Sequence, residues 1–72
     1  MNVDALKPFL GKVVTLHMTD GEVAKVRVQW VDDEYGDIVA DVLTTTHSEH
    51  YRDGQAAYTF LATEILSVIP SE

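Results

Sequence analysis

Three residues near the middle of the chain have side chains of the types that bind metal ions: His47, Glu49 and His50. On a helix, histidines at positions i and i+3 lie on one face and could share an ion. In a strand, side chains alternate between faces, so His47 and Glu49 share one face and His50 points to the other. The strand pattern described below places this segment in a hairpin arm. We therefore expect a polar, exposed arm and assign no metal site.

A second cluster of carboxylates, Asp32, Asp33, Glu34 and Asp37, lies between two strand-like segments. A calcium loop needs regularly spaced ligands and a following Glu, which this cluster lacks, so we expect a solvated acidic turn. The chain also has no cysteine, no serine in a strand–turn–helix elbow and no glycine-rich phosphate loop. The sequence therefore predicts neither an enzyme nor a cofactor.

Charge and size restrict the classes of partner. The chain has 72 residues, with five Lys and Arg against twelve Asp and Glu, and its net charge is −7. Nucleic-acid affinity depends largely on cations that neutralise phosphates, so this balance opposes nucleic-acid binding. A single domain of this size, residues 1–72, buries about 60% of its unfolded surface. Without disulfides, it must be stabilised by good packing or by self-association.

The hydrophobic content places the chain among globular proteins. It is 46%, which is too high for a disordered chain. No apolar run approaches the roughly 18 residues of a membrane span, and no signal peptide opens the chain. We therefore expect no membrane partner and a cytoplasmic location.

The elements that must position these residues are a short helix and five strands. Residues 2–10 are predicted to form a helix that Asn2 caps, with Leu6, Phe9 and Leu10 spaced for docking on a core. After Lys12 the hydrophobic pattern changes to a period of two, which is typical of strands. The predicted core positions are Val14, Leu16 and Met18; Ala24, Val26, Val28 and Trp30; Ile38, Ala40 and Val42; and Tyr58, Phe60 and Ala62; a fifth strand covers residues 65–69.

The Asp20-Gly21 dipeptide sets the register of the first two strands. A two-residue loop would place Leu16 opposite Lys25, on one face with charges. A three-residue loop, Thr19-Asp20-Gly21, instead pairs Leu16 with Ala24 and Val14 with Val26, with Gly21 in the left-handed conformation. Because a one-residue slip reverses every side chain, the pattern discriminates strongly.

The Asp53-Gly54 dipeptide is interpreted in the same way. A three-residue loop, Arg52-Asp53-Gly54, places Thr46 opposite Phe60 and Ser48 opposite Tyr58. It also keeps the core residues of the third and fourth strands on one face. The predicted fold is all-β: a five-stranded, strongly bent antiparallel barrel with a short N-terminal helix.

Many apolar residues fall outside this core, which is unusual for a small monomer. We expect self-association through an exposed strand edge, with Leu61, Leu66 and Val68 at the interface. The residues assigned to this outer face are Val13, Val23, Val31, Val39, Leu43, Leu61, Leu66 and Val68.

Two segments resemble the Sm-like (LSm) family of SH3-like small β-barrels. They are Leu10-Gly11-Lys12-Val13-Val14 with the following Asp20-Gly21, and residues 31–39, Val-Asp-Asp-Glu-Tyr-Gly-Asp-Ile-Val. The resemblance implies a ring in which the fourth strand of one subunit pairs with the fifth strand of its neighbour. It covers roughly residues 6–69.

The resemblance also locates the RNA pocket of the family on this chain. Its base-stacking position falls on Tyr35, which suits an aromatic platform. Gly36 stands where the family has a base-reading Asn, and Leu61-Ala62 stand where it has Arg-Gly. Two of the three positions therefore lack the required side chain, and RNA binding is not expected.

Three functional hypotheses follow. The first is a non-enzymatic protein-interaction or scaffold module that forms a homo-oligomer. The second is an Sm-like RNA-binding ring protein that contacts nucleic acid through Tyr35, Lys25 and Arg27. The third is a metal-dependent activity at His47, Glu49 and His50.

Overall fold

A five-stranded antiparallel sheet with a short N-terminal 3₁₀-helix forms the molecule, as the computed structural model describes it for residues 1–51 and 57–71. The spatial order of the strands is β4-β3-β2-β1-β5, so β4 and β5 are the edge strands. The elements are η1 (Val3–Phe9), β1 (Val13–Met18), β2 (Val23–Asp32), β3 (Asp37–Thr45), η2 (Ser48–His50), β4 (Tyr58–Leu61), η3 (Ala62–Glu64) and β5 (Ile65–Pro70). In these described residues, no helix is long and apolar enough to cross a membrane.

The N-terminal helix, predicted over residues 2–10, is a 3₁₀-helix over Val3–Phe9, with Asn2 and Leu10 at its two caps. The Asn2 side chain accepts a hydrogen bond from the backbone N–H of Asp4, which satisfies one of the free donors at the helix start. Leu6 is fully buried and Phe9 packs against the core, as predicted. The expected docking of Leu10 is wrong, because this residue follows the helix and is half exposed.

The predicted register of β1 and β2 is confirmed. Leu16 pairs with Ala24 and Val14 pairs with Val26. Gly21 has a φ of 93°, in the region that favours glycine, as the three-residue loop requires. All four paired side chains are fully buried.

The predicted alternation of β2 fails at its end. Trp30 was assigned to the core and Val31 to the outer face, and both assignments are wrong. The register with β3 shifts between Val28 and Trp30, so Trp30 pairs with Val39 and Val31 pairs with the buried Ile38. Trp30 is consequently exposed, whereas Val31 packs against the core.

The predicted register of β3 with β4 is wrong, but the prediction that Ile38 and Ala40 share a face with Tyr58 and Phe60 is confirmed. Phe60 pairs with Ile38 and Tyr58 pairs with Ala40, not with Thr46 and Ser48. The strand β3 ends at Thr45 and a 3₁₀ turn follows at Ser48–His50, so the predicted hairpin arm does not continue through the described residues 46–51. The predicted turn Arg52-Asp53-Gly54 lies outside the described residues.

Two further residues assigned to the outer face are not exposed: Val13 is buried and Val68 is partly buried. Val68 pairs with the buried Leu16 and packs against the core, because the β1–β5 register shifts between His17 and Met18. Val13 is buried between β2 and the segment after β5, where its carbonyl accepts a hydrogen bond from the N–H of Ser71. Leu43, Leu61 and Leu66 are exposed, as expected of the outer face.

Candidate functional site

Glu22 is a buried carboxylate on the core side of the β1–β2 turn. The residue is 4% exposed. Its Oε2 accepts hydrogen bonds from the hydroxyl groups of Thr45 and Tyr51, the latter at 2.6 Å. Its backbone N–H donates to Asp20 Oδ1 at 2.9 Å, which fixes the turn. A buried charge is costly unless it is hydrogen-bonded, and these two hydroxyl groups reduce that cost.

Sequence reasoning missed Glu22, although a signal was present. The confirmed register places residue 22 on the same face as Ala24 and Val26. Glu22 is thus a carboxylate at the start of an otherwise apolar, inward-facing row. A charged residue on the core face of a strand is rare enough to mark a position for inspection.

Tyr51 connects the Glu22 carboxylate to an aromatic cluster. Its ring meets that of Tyr58 edge to face, with centroids 4.6 Å apart and planes at 85°. Its ring centroid also lies 6.2 Å from that of Phe60. Burial, followed by the hydrogen bond to Glu22, raises the pKa of Tyr51 above its ordinary value. The phenol therefore remains a proton donor at neutral pH.

The metal-type residues predicted from the sequence do not form the arrangement expected of them. Ser48–His50 is a 3₁₀ turn, so the predicted extended arm is wrong. Glu49 is exposed to solvent, and the side chain of His50 lies outside the described residues. His47 instead approaches the β1–β2 turn, where its Nδ1 is 3.7 Å from Asp20 Oδ2.

A different donor group is assembled around His47. One ligand atom each of Asp20, Glu22 and His47 lies within 4.8 Å of the others. Two carboxylates and an imidazole are donors that zinc and other divalent transition metals accept. Two of these residues already accept hydrogen bonds: Asp20 from the Glu22 N–H, and Glu22 from two hydroxyl groups. A metal ion would have to share their oxygens with those donors.

A cleft of about 340 Å³ opens between the β1–β2 turn and the segment from β4 to η3. The backbone N–H of Thr19 donates to the Glu64 carbonyl at 2.8 Å, which ties the turn to η3. Three carboxylates and three aromatic rings occur among the described lining residues, and Lys and Arg do not. The lining residues are Met18, Asp20, Glu22, Tyr51, Tyr58, Thr59, Phe60, Leu61 and Glu64.

The three residues proposed to contact nucleic acid are not brought together. Tyr35 is exposed in the β2–β3 turn, and Lys25 and Arg27 are exposed in the first half of β2. Arg27 lies five residues before Asp32, the end of β2, which corresponds to about 17 Å along a strand. Arg27 also pairs with Asp41 of β3, a carboxylate that opposes an anionic ligand.

The acidic turn around Tyr35 is held by hydrogen bonds within the turn and by an ion pair with Lys7 of η1. Asp32 Oδ1 accepts hydrogen bonds from the N–H groups of Glu34 at 2.9 Å and Tyr35 at 3.1 Å. Lys7 lies 2.9 Å from the carboxylate of Asp33, and this contact is the main cause that raises the pKa of Lys7. Asp33 and Glu34 are exposed, as expected of a solvated acidic turn, whereas Asp32 and Asp37 are partly buried.

Two of the three predicted interface residues are exposed on the two edge strands. Leu61, at the end of β4, is 46% exposed, and Leu66, near the start of β5, is 66% exposed. Val68 packs against the core instead. Exposed apolar side chains therefore occur at both ends of the sheet.

Comparison with known proteins identifies no relative of this chain. The chain matches no protein-family model, and no curated protein or solved structure is significantly similar to it. The resemblance to Sm-like proteins accordingly rests on the sequence segments quoted above, and no relative supplies a role for any residue.

Proposed function

We propose that the protein is a non-enzymatic interaction module that self-associates through the two edges of its sheet. The observation that carries this proposal is the strand order, in which β4 and β5 are the outermost strands and each has an exposed leucine. The outer edge of such a strand presents backbone N–H and C=O groups that can pair with another chain. Strand addition between copies would satisfy these groups and cover the leucines.

The connection between the edge strands supports a strongly bent, SH3-like or Sm-like barrel. The edges of a flat five-stranded sheet would lie about 19 Å apart. The chain passes from Leu61 of β4 to Ile65 of β5 in four residue steps, which reach at most about 14 Å. The connection contains η3 and is therefore shorter still than an extended chain. The sheet must curve to bring its two edges within this reach.

The geometry of the two edges determines the type of assembly we propose. Because β4 and β5 are different surfaces, the contact of β4 with a neighbour's β5 is heterologous. Heterologous contacts produce rings when the rotation closes and filaments when it does not. With a net charge of −7 per chain, added salt should strengthen the association by screening repulsion between copies.

Sedimentation velocity across the micromolar range tests this proposal. We expect the wild type to form an oligomer and Leu66→Lys to shift it toward monomer, because a charge would be buried at the β5 edge. The matched control is Leu43→Lys, a leucine that is 49% exposed on β3, which is not one of the two outermost strands. This control should assemble like the wild type.

Two outcomes would contradict the proposal. A wild type that sediments as a monomer at every concentration excludes self-association. An oligo-U or oligo-A complex at low ionic strength that weakens steeply with salt, and that Tyr35→Ala abolishes, would favour the alternative of an Sm-like RNA-binding ring. We expect no such complex, because Tyr35 is surrounded by carboxylates.

A further inference from the structure

We propose that the cleft beside the β1–β2 turn binds an alkylammonium group, specifically the lysine side chain of a partner protein. The cleft is bounded by β1, the β1–β2 turn, β4, η3 and Tyr51. This inference extends the interaction-module part of the proposed function and names the chemistry of a partner. It does not require self-association.

The charge of the cleft selects a cation. Asp20, Glu22 and Glu64 all contribute to its lining, and the described lining contains neither Lys nor Arg. Glu22 contributes most to this preference for a cation because its carboxylate is buried. The hydroxyl groups of Thr45 and Tyr51, which donate hydrogen bonds to it, are neutral. Neutral donors compensate a buried charge less completely than an ion pair with hydrogen bonds does.

The walls of the cleft select an organic cation. Ring faces attract ammonium groups through their quadrupole, and Tyr51, Tyr58 and Phe60 all line the cleft. The edge-to-face contact with Tyr58 and the hydrogen bond to Glu22 hold the ring of Tyr51 in place. A site whose groups are already fixed loses less side-chain entropy when a ligand binds.

The size and apolar surface of the cleft fit one side chain. Its volume of about 340 Å³ is near the lower end of the range of small-molecule sites, roughly 300–1,000 Å³. Met18 and Leu61 add apolar surface to the lining, against which the methylene groups of a lysine can pack. A carboxylate-lined site of this kind disfavours phosphate-bearing ligands.

A divalent metal ion is the competing occupant, through Asp20, Glu22 and His47. The lysine is favoured because those carboxylates already accept hydrogen bonds, and because a metal would leave the aromatic and apolar walls without a role. Glu64 distinguishes the two occupants. It lines the cleft that would hold a lysine side chain, but it does not belong to the metal-ligand group of Asp20, Glu22 and His47.

The test is an NMR titration of the ¹⁵N-labelled protein with Nα-acetyl-lysine amide. Norleucine amide with the same N-acetyl group is the neutral control ligand. We expect the lysine probe to shift the amide signals of Met18, Glu22 and Glu64 in a saturable manner, and the norleucine probe to leave them in place. Glu64→Gln should raise the Kd about two- to fivefold, as expected for the loss of one solvent-accessible ion pair.

Matched variants separate this inference from the proposal of self-association. Glu34→Gln makes the same charge change in the β2–β3 turn, where the side chain is exposed and is not among the residues that line the cleft, and should leave the Kd unchanged. Leu66→Lys should retain lysine binding even where it disrupts the oligomer, because Leu66 does not line the cleft.

Three results would overturn the inference. The first is an absence of saturable shifts with the lysine probe, and the second is equal shifts with the norleucine probe. The third is displacement of the lysine probe by ZnCl₂ in the wild type but not in His47→Ala, together with an unchanged lysine Kd in Glu64→Gln. That third result would assign the turn to a metal ion.

Discussion

Two acidic turns of this molecule have the same local construction and different surroundings. In the β1–β2 turn, Asp20 Oδ1 accepts a hydrogen bond from the N–H of Glu22 at 2.9 Å; in the β2–β3 turn, Asp32 Oδ1 accepts one from Glu34 at 2.9 Å. Each turn also contains a glycine with positive φ, Gly21 or Gly36. Glu22 is nevertheless buried, whereas Glu34 is exposed.

The difference arises from contacts that are distant in sequence. Glu22 accepts hydrogen bonds from Thr45 and Tyr51, which lie 23 and 29 residues further along the chain. The β2–β3 turn is stabilised by an Asx-type turn, by one exposed ion pair between Lys7 and Asp33, which is of small energetic weight, and by a hydrogen bond from the Ala62 N–H to the Gly36 carbonyl. The two turns of similar composition thus differ in what the distant contacts reach: in the β1–β2 turn they reach the glutamate side chain itself, and in the β2–β3 turn they reach Asp33 and the Gly36 carbonyl.

Replacing the two glutamates should give the largest contrast between the turns. Glu22→Ala removes the acceptor of two hydroxyl groups and leaves a gap beside the core, so we expect a loss of about 2–3 kcal/mol in the free energy of unfolding. Glu34→Ala should change it by less than about 0.5 kcal/mol, because the side chain is in solvent. Urea unfolding at neutral pH measures both. Equal effects would contradict the assignment of Glu22 to a buried hydrogen-bond network.

Replacing the two glycines should give a smaller contrast. A β-branched residue resists positive φ, so Gly21→Val should destabilise the protein by about 1–3 kcal/mol. Apart from the glycine and its two chain neighbours, no described atom lies within 4 Å of a Cβ placed at Gly21 or Gly36, so the cost comes from the backbone conformation. Gly36, with a φ of 68°, is close to the left-handed region that Asn tolerates, whereas Gly21, at 93°, is further from it.

Asn substitutions sharpen the comparison of the glycines. We expect Gly36→Asn to be nearly neutral in thermal unfolding and Gly21→Asn to be intermediate between wild type and Gly21→Val. A Gly21→Val variant that melts at the temperature of the wild type would show that the turn does not depend on a left-handed residue.

The parts of the fold that the sequence predicted are those set by short-range chemistry. The cap at Asn2 and the register around Gly21 follow from residues that lie a few positions apart. The reversal at Trp30 was not predictable, because the register shift between Val28 and Trp30 has no glycine or proline to mark it. Propensity and alternation describe one strand at a time, whereas a register shift is a property of two.

Of the two main residues of the candidate site, the burial of Glu22 was predictable from the sequence and the role of Tyr51 was not. The register that pairs Leu16 with Ala24 also turns Glu22 inward, so its burial was within reach of sequence reasoning. The role of Tyr51 was not, because it lies in a polar stretch and its contacts with Glu22 and Phe60 depend on how the chain returns after β3. The failed β3–β4 register has the same origin, since an Asp-Gly dipeptide indicates a turn but not the length of its arms.

The smallest effect we predict is a pH dependence that belongs to the buried turn. Because burial and Glu22 raise the pKa of Tyr51, the folded protein holds this proton more tightly than the unfolded chain does. The resulting stability is complete below the unfolded pKa of about 10 and is lost as the pH rises from there toward the raised value. Between about pH 9 and pH 11, we expect the free energy of unfolding to fall more steeply with pH in the wild type than in Tyr51→Phe. The difference between the two slopes should correspond to the release of less than one proton on unfolding. Tyr35→Phe, which removes the same hydroxyl group from an exposed side chain, is the matched control for the substitution. Identical slopes for the wild type and Tyr51→Phe in urea unfolding would contradict the coupling of this phenol to Glu22.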